Sequence, residues 1–192
     1  MNGSIWCIGK NFEKHAKELA EPQEKEPIVF LKSSACLVES GKIIHLPTFS
    51  SNVQYEVEIA CLFDPQLHLS HFTVALDLTA RDVQAKAKEK GLPWTLSKSF
   101  KQSCPIGKWL PITELSDAEF SLHVNGSLRQ KGFIKDMLFS IPKLREYLTQ
   151  HFPIKEGDIL LTGTPEGIST ILSGDKADIY YGKLHLGSWT FA

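Results

Sequence analysis

The stretch from Val53 to Phe63 constrains this chain more than any other segment. Val53, Tyr55, Val57, Ile59, Cys61 and Phe63 alternate with Gln54, Glu56, Glu58, Ala60 and Leu62. A period of two is the signature of a β-strand, with successive side chains on opposite faces. The first set is apolar throughout and belongs against a core. The second carries Glu56 and Glu58 on one face, with Cα atoms roughly 6.5 to 7 Å apart in an extended strand. That face must meet solvent or a cation. Two carboxylates so placed suit a hard divalent ion such as Mg²⁺ or Mn²⁺, which takes oxygen ligands and keeps positions open for water or substrate. Asp77, at the end of the apolar strand Thr73–Leu78, offers a third ligand. On spacing alone, a solvated edge strand is the competing reading.

The other elements are short. Strands are expected at Ile28–Leu31, Lys42–Leu46, Phe120–Val124, Asp158–Leu161, Ile179–Tyr181 and Leu184–Phe191, with Asn125-Gly126 as a hairpin turn. Helices are expected at 11–20, capped by Asn11, at 80–90, stopped by Gly91 and Pro93, and at 140–151 with Pro142 in its first turn. Glu21–Pro27 reads as a loop. Many strands with a few scattered helices predict an α+β, β-rich fold, without regular βαβ alternation. At 192 residues the expectation is one domain, 1–192.

Charge excludes some functions. Lys and Arg number 21 against 22 Asp and Glu, so no basic excess exists to hold nucleic acid by counterion release. No apolar run reaches the 18 or more residues of a membrane span, and Met1–Lys10 does not read as a signal peptide. A cytoplasmic protein with its four cysteines, Cys7, Cys36, Cys61 and Cys104, reduced and buried is the expectation.

Further candidates surround the carboxylates. Arg81 and Gln84 lie three apart at the start of a helix, where they can hold an anionic carbonyl compound. Lys98 sits among aromatic residues in Trp94-Thr95-Leu96-Ser97-Lys98-Ser99-Phe100. His15 and Glu18 share one face of the first helix, as a possible general-base pair on a lid. Thr162-Gly163-Thr164-Pro165-Glu166-Gly167 is a glycine-bounded turn whose N–H groups and Thr164 hydroxyl can cradle a carboxylate. Plain surface pairs and a plain turn are the alternatives.

Taken together, these strings resemble the fumarylacetoacetate hydrolase family, particularly its short acylpyruvate hydrolase and oxaloacetate decarboxylase members. The carriers are Gly9–Glu18, Tyr55-Glu56-Val57-Glu58, Leu76–Gln84, Lys90–Phe100, Val124-Asn125-Gly126, Phe139-Ser140-Ile141-Pro142 and Gly157–Pro165, in family order. The resemblance implies a mixed β-sandwich roll with short peripheral helices, an N-terminal lid helix and a homodimer. It implies that Glu56, Glu58 and Asp77 bind Mg²⁺ or Mn²⁺. Arg81, Gln84 and Thr164 would contact a small 2-oxo acid, Lys98 would stabilise an enolate together with the metal, and His15 with Glu18 would activate water. The implied reaction is cleavage of acylpyruvates to a carboxylic acid and pyruvate. Oxaloacetate decarboxylation or keto–enol tautomerisation at the same site is the alternative. One departure stands out: the Ile59–Leu76 connection is shorter than in relatives, which opens the further alternative of an inactive member.

Overall fold

The computed structural model describes residues 3–18 and 25–192. In chain order the elements are β1 (Ser4–Gly9), α1 (Glu13–Glu18), β2 (Ile28–Ser33), β3 (Leu37–Glu39), β4 (Ile43–Ile44), β5 (Val53–Tyr55), β6 (Val57–Phe63) and β7 (Leu69–Leu76). They continue with β8 (Thr79–Ala80), α2 (Arg81–Glu89), α3 (Thr95–Lys98), β9 (Cys104–Ile106), β10 (Leu110–Pro111), β11 (Phe120–Val124) and β12 (Ser127–Gly132). The last are α4 (Ile141–His151), β13 (Ile159–Leu161), β14 (Ser169–Thr170), β15 (Lys176–Tyr181) and β16 (Leu184–Phe191). The fold is strand-rich α+β, as expected.

Among the described residues, an eight-stranded mixed sheet runs β2-β1-β13-β6-β7-β9-β3, with β10 added to β7. A five-stranded sheet runs β12-β11-β15-β16-β4, and a small one runs β14-β5-β8. Both faces of the large sheet are covered. Val57, Ile59, Cys61 and Phe63 join Phe72, Val74, Leu76, Phe120, Leu122, Ile179, Leu144 and Leu148 in the main core. Ala60 instead packs with Ile5, Cys7, Ala75, Cys104 and Leu161 behind the sheet. The sheet is therefore buried on the face that carries Glu58 as well.

Three sequence expectations change. The Val53–Phe63 strand is interrupted at Glu56, between β5 and β6, and each part pairs with different partners. β1 escaped the period-two test because Ile5, Trp6, Cys7 and Ile8 are all buried between β2 and β13, and a strand buried on both faces reads as an apolar run. Asn11 turns into the protein instead of capping the helix: its amide donates to the Phe139 and Thr162 carbonyls and accepts from the Phe139 N–H. Leu19 and Ala20 of the expected first helix, and residues 21–24 of the expected loop, lie outside the described residues. The Asn125-Gly126 hairpin joins β11 to β12, with both residues at positive φ, 53° and 76°, as a tight two-residue turn requires. All four cysteines are free and buried.

Candidate active site

The three carboxylates meet because β6 and β7 form a tight antiparallel pair. Glu58 lies opposite Ala75 and Val57 opposite Leu76, and the Asp77 N–H then donates to the Glu56 carbonyl at 2.8 Å. The short connection closes through a turn in which Asp64 Oδ1 accepts from the Gln66 and His68 N–H groups. Its shortness does not part the ligands. One oxygen from each of Glu56, Glu58 and Asp77 lies within 4.8 Å of the others, and the residues are 5%, 1% and 0% exposed.

Three cations answer this charge. Lys98, at the end of α3, donates to Glu56 Oε2 at 2.8 Å and Asp77 Oδ2 at 2.7 Å, and lies 5.0 Å from the Phe30 ring centre. Arg81, the first residue of α2, pairs its Nη2 with Glu56 Oε1, and donates to Gln84 Oε1 and Gln54 Oε1 at 2.7 Å each. Lys32, on β2, is fully buried with its Nζ 2.8 Å from Asp77 Oδ1. That contact is an ion pair off hydrogen-bond alignment. Lys32 Nζ also lies within hydrogen-bond reach of Leu78 O, Ser103 O, Ser103 Oγ and the Lys98 carbonyl, more acceptors than its three protons.

The environment splits the two glutamates. Burial alone raises a carboxyl, but the Lys98 ammonium and Arg81 guanidinium overcome it at Glu56 and hold that group well below the usual carboxylate range. At Glu58, burial and repulsion from Asp77 and Glu56 act together and push the group well above it. Burial would lower Lys98, yet Asp77 and Glu56 outweigh it and raise the ammonium above an ordinary lysine.

The glycine turn and the N-terminal helix complete the cluster. Gly163, at φ +92°, donates its N–H to Glu58 Oε2 at 2.7 Å; a Cβ there would lie 2.8 Å from the Asn11 Cβ. The next residue, Thr164, is 2% exposed. His15 is 4% exposed, with Nδ1 3.1 Å from Glu18 Oε2. A carboxylate only accepts, so Nδ1 carries the proton and Nε2 is left as the basic nitrogen. Glu18 also accepts from the Gly167 N–H at 3.2 Å, tying α1 to the glycine turn. His15, Glu56, Glu58, Arg81, Gln84, Lys98 and Thr164 line one narrow cleft with Phe30 and Trp94. A wider groove of about 890 Å³, bordered by Leu37, Val38, Gly107 and Trp109, holds none of these groups.

All nine residues singled out from the sequence thus fall in or against one cluster. Lys32 was missed because the expected strand ended at Leu31, whereas β2 runs on to Ser33. The signal lay in Phe30 and Lys32, which share a strand face. Gln130 was missed as part of a hairpin arm. The donor set fits a hard divalent ion: it is all carboxylate oxygen, preassembled, and contains an acid strained by like charge that a cation would relieve.

The comparisons agree with the geometry. Residues 4–184 match the fumarylacetoacetate (FAA) hydrolase C-terminal family. The chain is 37% identical over 188 residues to the mitochondrial oxaloacetate tautomerase of Homo sapiens, covering 91% of this chain and 85% of that protein. It superposes on a Yersinia pestis fumarylacetoacetate hydrolase family protein with a TM-score of 0.94, at 32% identity and covering 100% and 94% of the two chains. It also superposes on a Pseudomonas aeruginosa fumarylpyruvate hydrolase in complex with Mn²⁺ and pyruvate, with a TM-score of 0.89 at 29% identity, covering 98% and 89%.

Proposed function

The chain belongs to the fumarylacetoacetate hydrolase family, and from that premise we propose that it interconverts the keto and enol forms of oxaloacetate, a small 2-oxo acid, at the Glu56–Glu58–Asp77 centre. The observation that carries this reading is the buried carboxylate triad joined in one cleft to Arg81, Lys98 and the His15–Glu18 pair. The name of the human relative supports the choice of substrate.

Glu56, Glu58 and Asp77 would hold Mg²⁺ or Mn²⁺, which when bound supplies Lewis-acid polarisation of the 2-oxo carbonyl. The chain's own groups do the rest. Arg81 and Gln84, already hydrogen-bonded to each other, and the Thr164 hydroxyl hold the substrate carboxylate. Lys98, held cationic by its neighbours, stabilises the negative charge that grows on the 2-oxo oxygen. His15 Nε2 takes the proton from the carbon next to the carbonyl and delivers it to the 2-oxo oxygen to give the enol, the reverse transfer restoring the keto form, while Glu18 keeps the imidazole oriented. Closure of α1 against the Gly167 turn excludes water from the cleft.

A second reading is hydrolysis of acylpyruvates, in which His15 takes a proton from water instead of carbon. The same His15–Glu18 geometry supports it, as does the likeness to a fumarylpyruvate hydrolase. Decay of the enol absorbance of oxaloacetate tests the first reading. Turnover is expected with Mg²⁺, lost in EDTA, and reduced about 100-fold or more in His15→Ala, the usual contribution of a general base. Decay no faster than with Mg²⁺ alone would refute it, and acetylpyruvate cleavage in the same protein would then select the second.

A further inference from the structure

Gln130 of β12 is 2% exposed and none of the chemistry above uses it. Its side chain bridges two parts of the site. Oε1 accepts the Val57 N–H at 2.9 Å, and Val57 stands between the two glutamates. Nε2 donates to the Pro165 carbonyl at 2.9 Å and to Thr164 Oγ1 at 3.0 Å. The amide cannot be turned over: the Val57 N–H can only donate and the Pro165 carbonyl can only accept. Thr164 Oγ1 must therefore be the acceptor in its contact with Gln130. The Thr164 proton has to point elsewhere, and among the described residues no acceptor takes it. Thr164 lines the cleft together with Arg81 and Lys98.

We propose that Gln130 is a positioning residue for the Thr164 hydroxyl: by donating to one of its lone pairs it leaves the hydroxyl proton as the group free to donate into the cleft, which favours an accepting ligand oxygen such as a carboxylate's. A free threonine hydroxyl accepts or donates with equal ease. With one of its two lone pairs taken by Gln130, its proton is the group left free, which favours an accepting oxygen such as a carboxylate's at that point. The same amide sets the spacing between the Glu56–Glu58 strand and the Thr164 turn. This inference rests on the 2-oxo acid reading and adds the residue that orients one of the groups at the acid end.

The test is calorimetric titration of oxalate into the full-length protein with saturating Mg²⁺, comparing wild type with Gln130→Met, Thr164→Val and the double variant. A hydrogen bond to a charged group predicts that Thr164→Val weakens oxalate about tenfold or more. Gln130→Met should weaken it about fivefold or more through lost preorganisation, and the double variant should match Thr164→Val within about twofold. Mg²⁺ affinity should change less than oxalate affinity, and with oxaloacetate KM should rise while kcat stays within about threefold. Folded Gln130→Met that binds oxalate like wild type, or losses that multiply in the double variant, would overturn the assignment. If Gln130→Met does not fold, Thr164→Ser and Thr164→Val decide: serine should keep wild-type binding, and valine doing equally well overturns the proposal. A wild-type protein that binds Mg²⁺ but no oxalate would refute the 2-oxo acid reading itself.

Discussion

Replacing Lys32 by methionine removes a buried ammonium while keeping an unbranched side chain of similar length. Lys32 and the Asp77 side chain are both fully buried, 2.8 Å apart, so no water can take over the lost contact. Leu78 O loses the Lys32 ammonium as its donor, but other acceptors keep partners. Ser103 O still accepts from the Leu78 N–H, and the Lys98 carbonyl still accepts from the Ser103 hydroxyl. The dominant cost is an Asp77 charge left with Lys98 as its remaining contact cation among the described residues, in a cluster that already holds two other carboxylates. Breaking one side of a buried pair typically costs about 3 to 5 kcal/mol. For a chain of this size each kcal/mol moves Tm by about 2 to 4 °C, so a fall of roughly 6 to 20 °C is expected. Because the variant's cluster is one unit more negative, added Mg²⁺ should recover more of the melting temperature than it adds to wild type. Thermal melts followed by circular dichroism, with and without Mg²⁺, measure both effects. A Lys32→Met protein melting within about 3 °C of wild type would refute the claim that Lys32 balances Asp77.

Gly163→Ala should destabilise the fold by about 2 kcal/mol or more in urea titrations, because a Cβ would sit 2.8 Å from the Asn11 Cβ on a backbone at φ +92°. It should also weaken Mg²⁺ binding, since the Gly163 N–H holds Glu58; unchanged metal affinity would separate the turn from the metal site. Glu58 gives a pH signature. Its folded-state pKa is raised, so its contribution is fully present below the ordinary carboxylate range and is lost as pH rises through the raised value. Mg²⁺ takes the ionised form, so the Tm gain from Mg²⁺ should grow from weakly acidic to neutral buffer. A gain that shrinks over that range would contradict this. Glu56, whose pKa is depressed, acts in the opposite sense: its stabilisation is present above the ordinary range and is lost as pH falls through the depressed value.

The sequence made the fold class legible where one face of a strand was polar, as on β6, or where turn chemistry was explicit, as at Asn125-Gly126. β1 was invisible because burial on both faces erases alternation. The nine site residues were readable as types at meaningful spacings, and the family strings joined them. The environment of the Glu face was not readable: period-two alternation shows that Glu56 and Glu58 share a side but not that Lys98 and Arg81 arrive there from α3 and α2. Lys32 and Gln130 act across strands distant in sequence, where pairing register, not local pattern, brings side chains together. The effect of the short Ile59–Leu76 connection also needed the register, since only the β6–β7 ladder shows Asp77 returning beside Glu56.

The central claim is that the buried triad and its cationic frame make a metal-dependent site for 2-oxo acids. A substrate panel of oxaloacetate and acylpyruvates tests it most directly, read by enol loss and pyruvate release in Mg²⁺ or Mn²⁺, with and without EDTA, for wild type and Glu58→Gln. The account predicts turnover of at least one member, abolished by EDTA and by the substitution. Absence of turnover with either metal in folded wild-type protein, or turnover indifferent to EDTA, would contradict it.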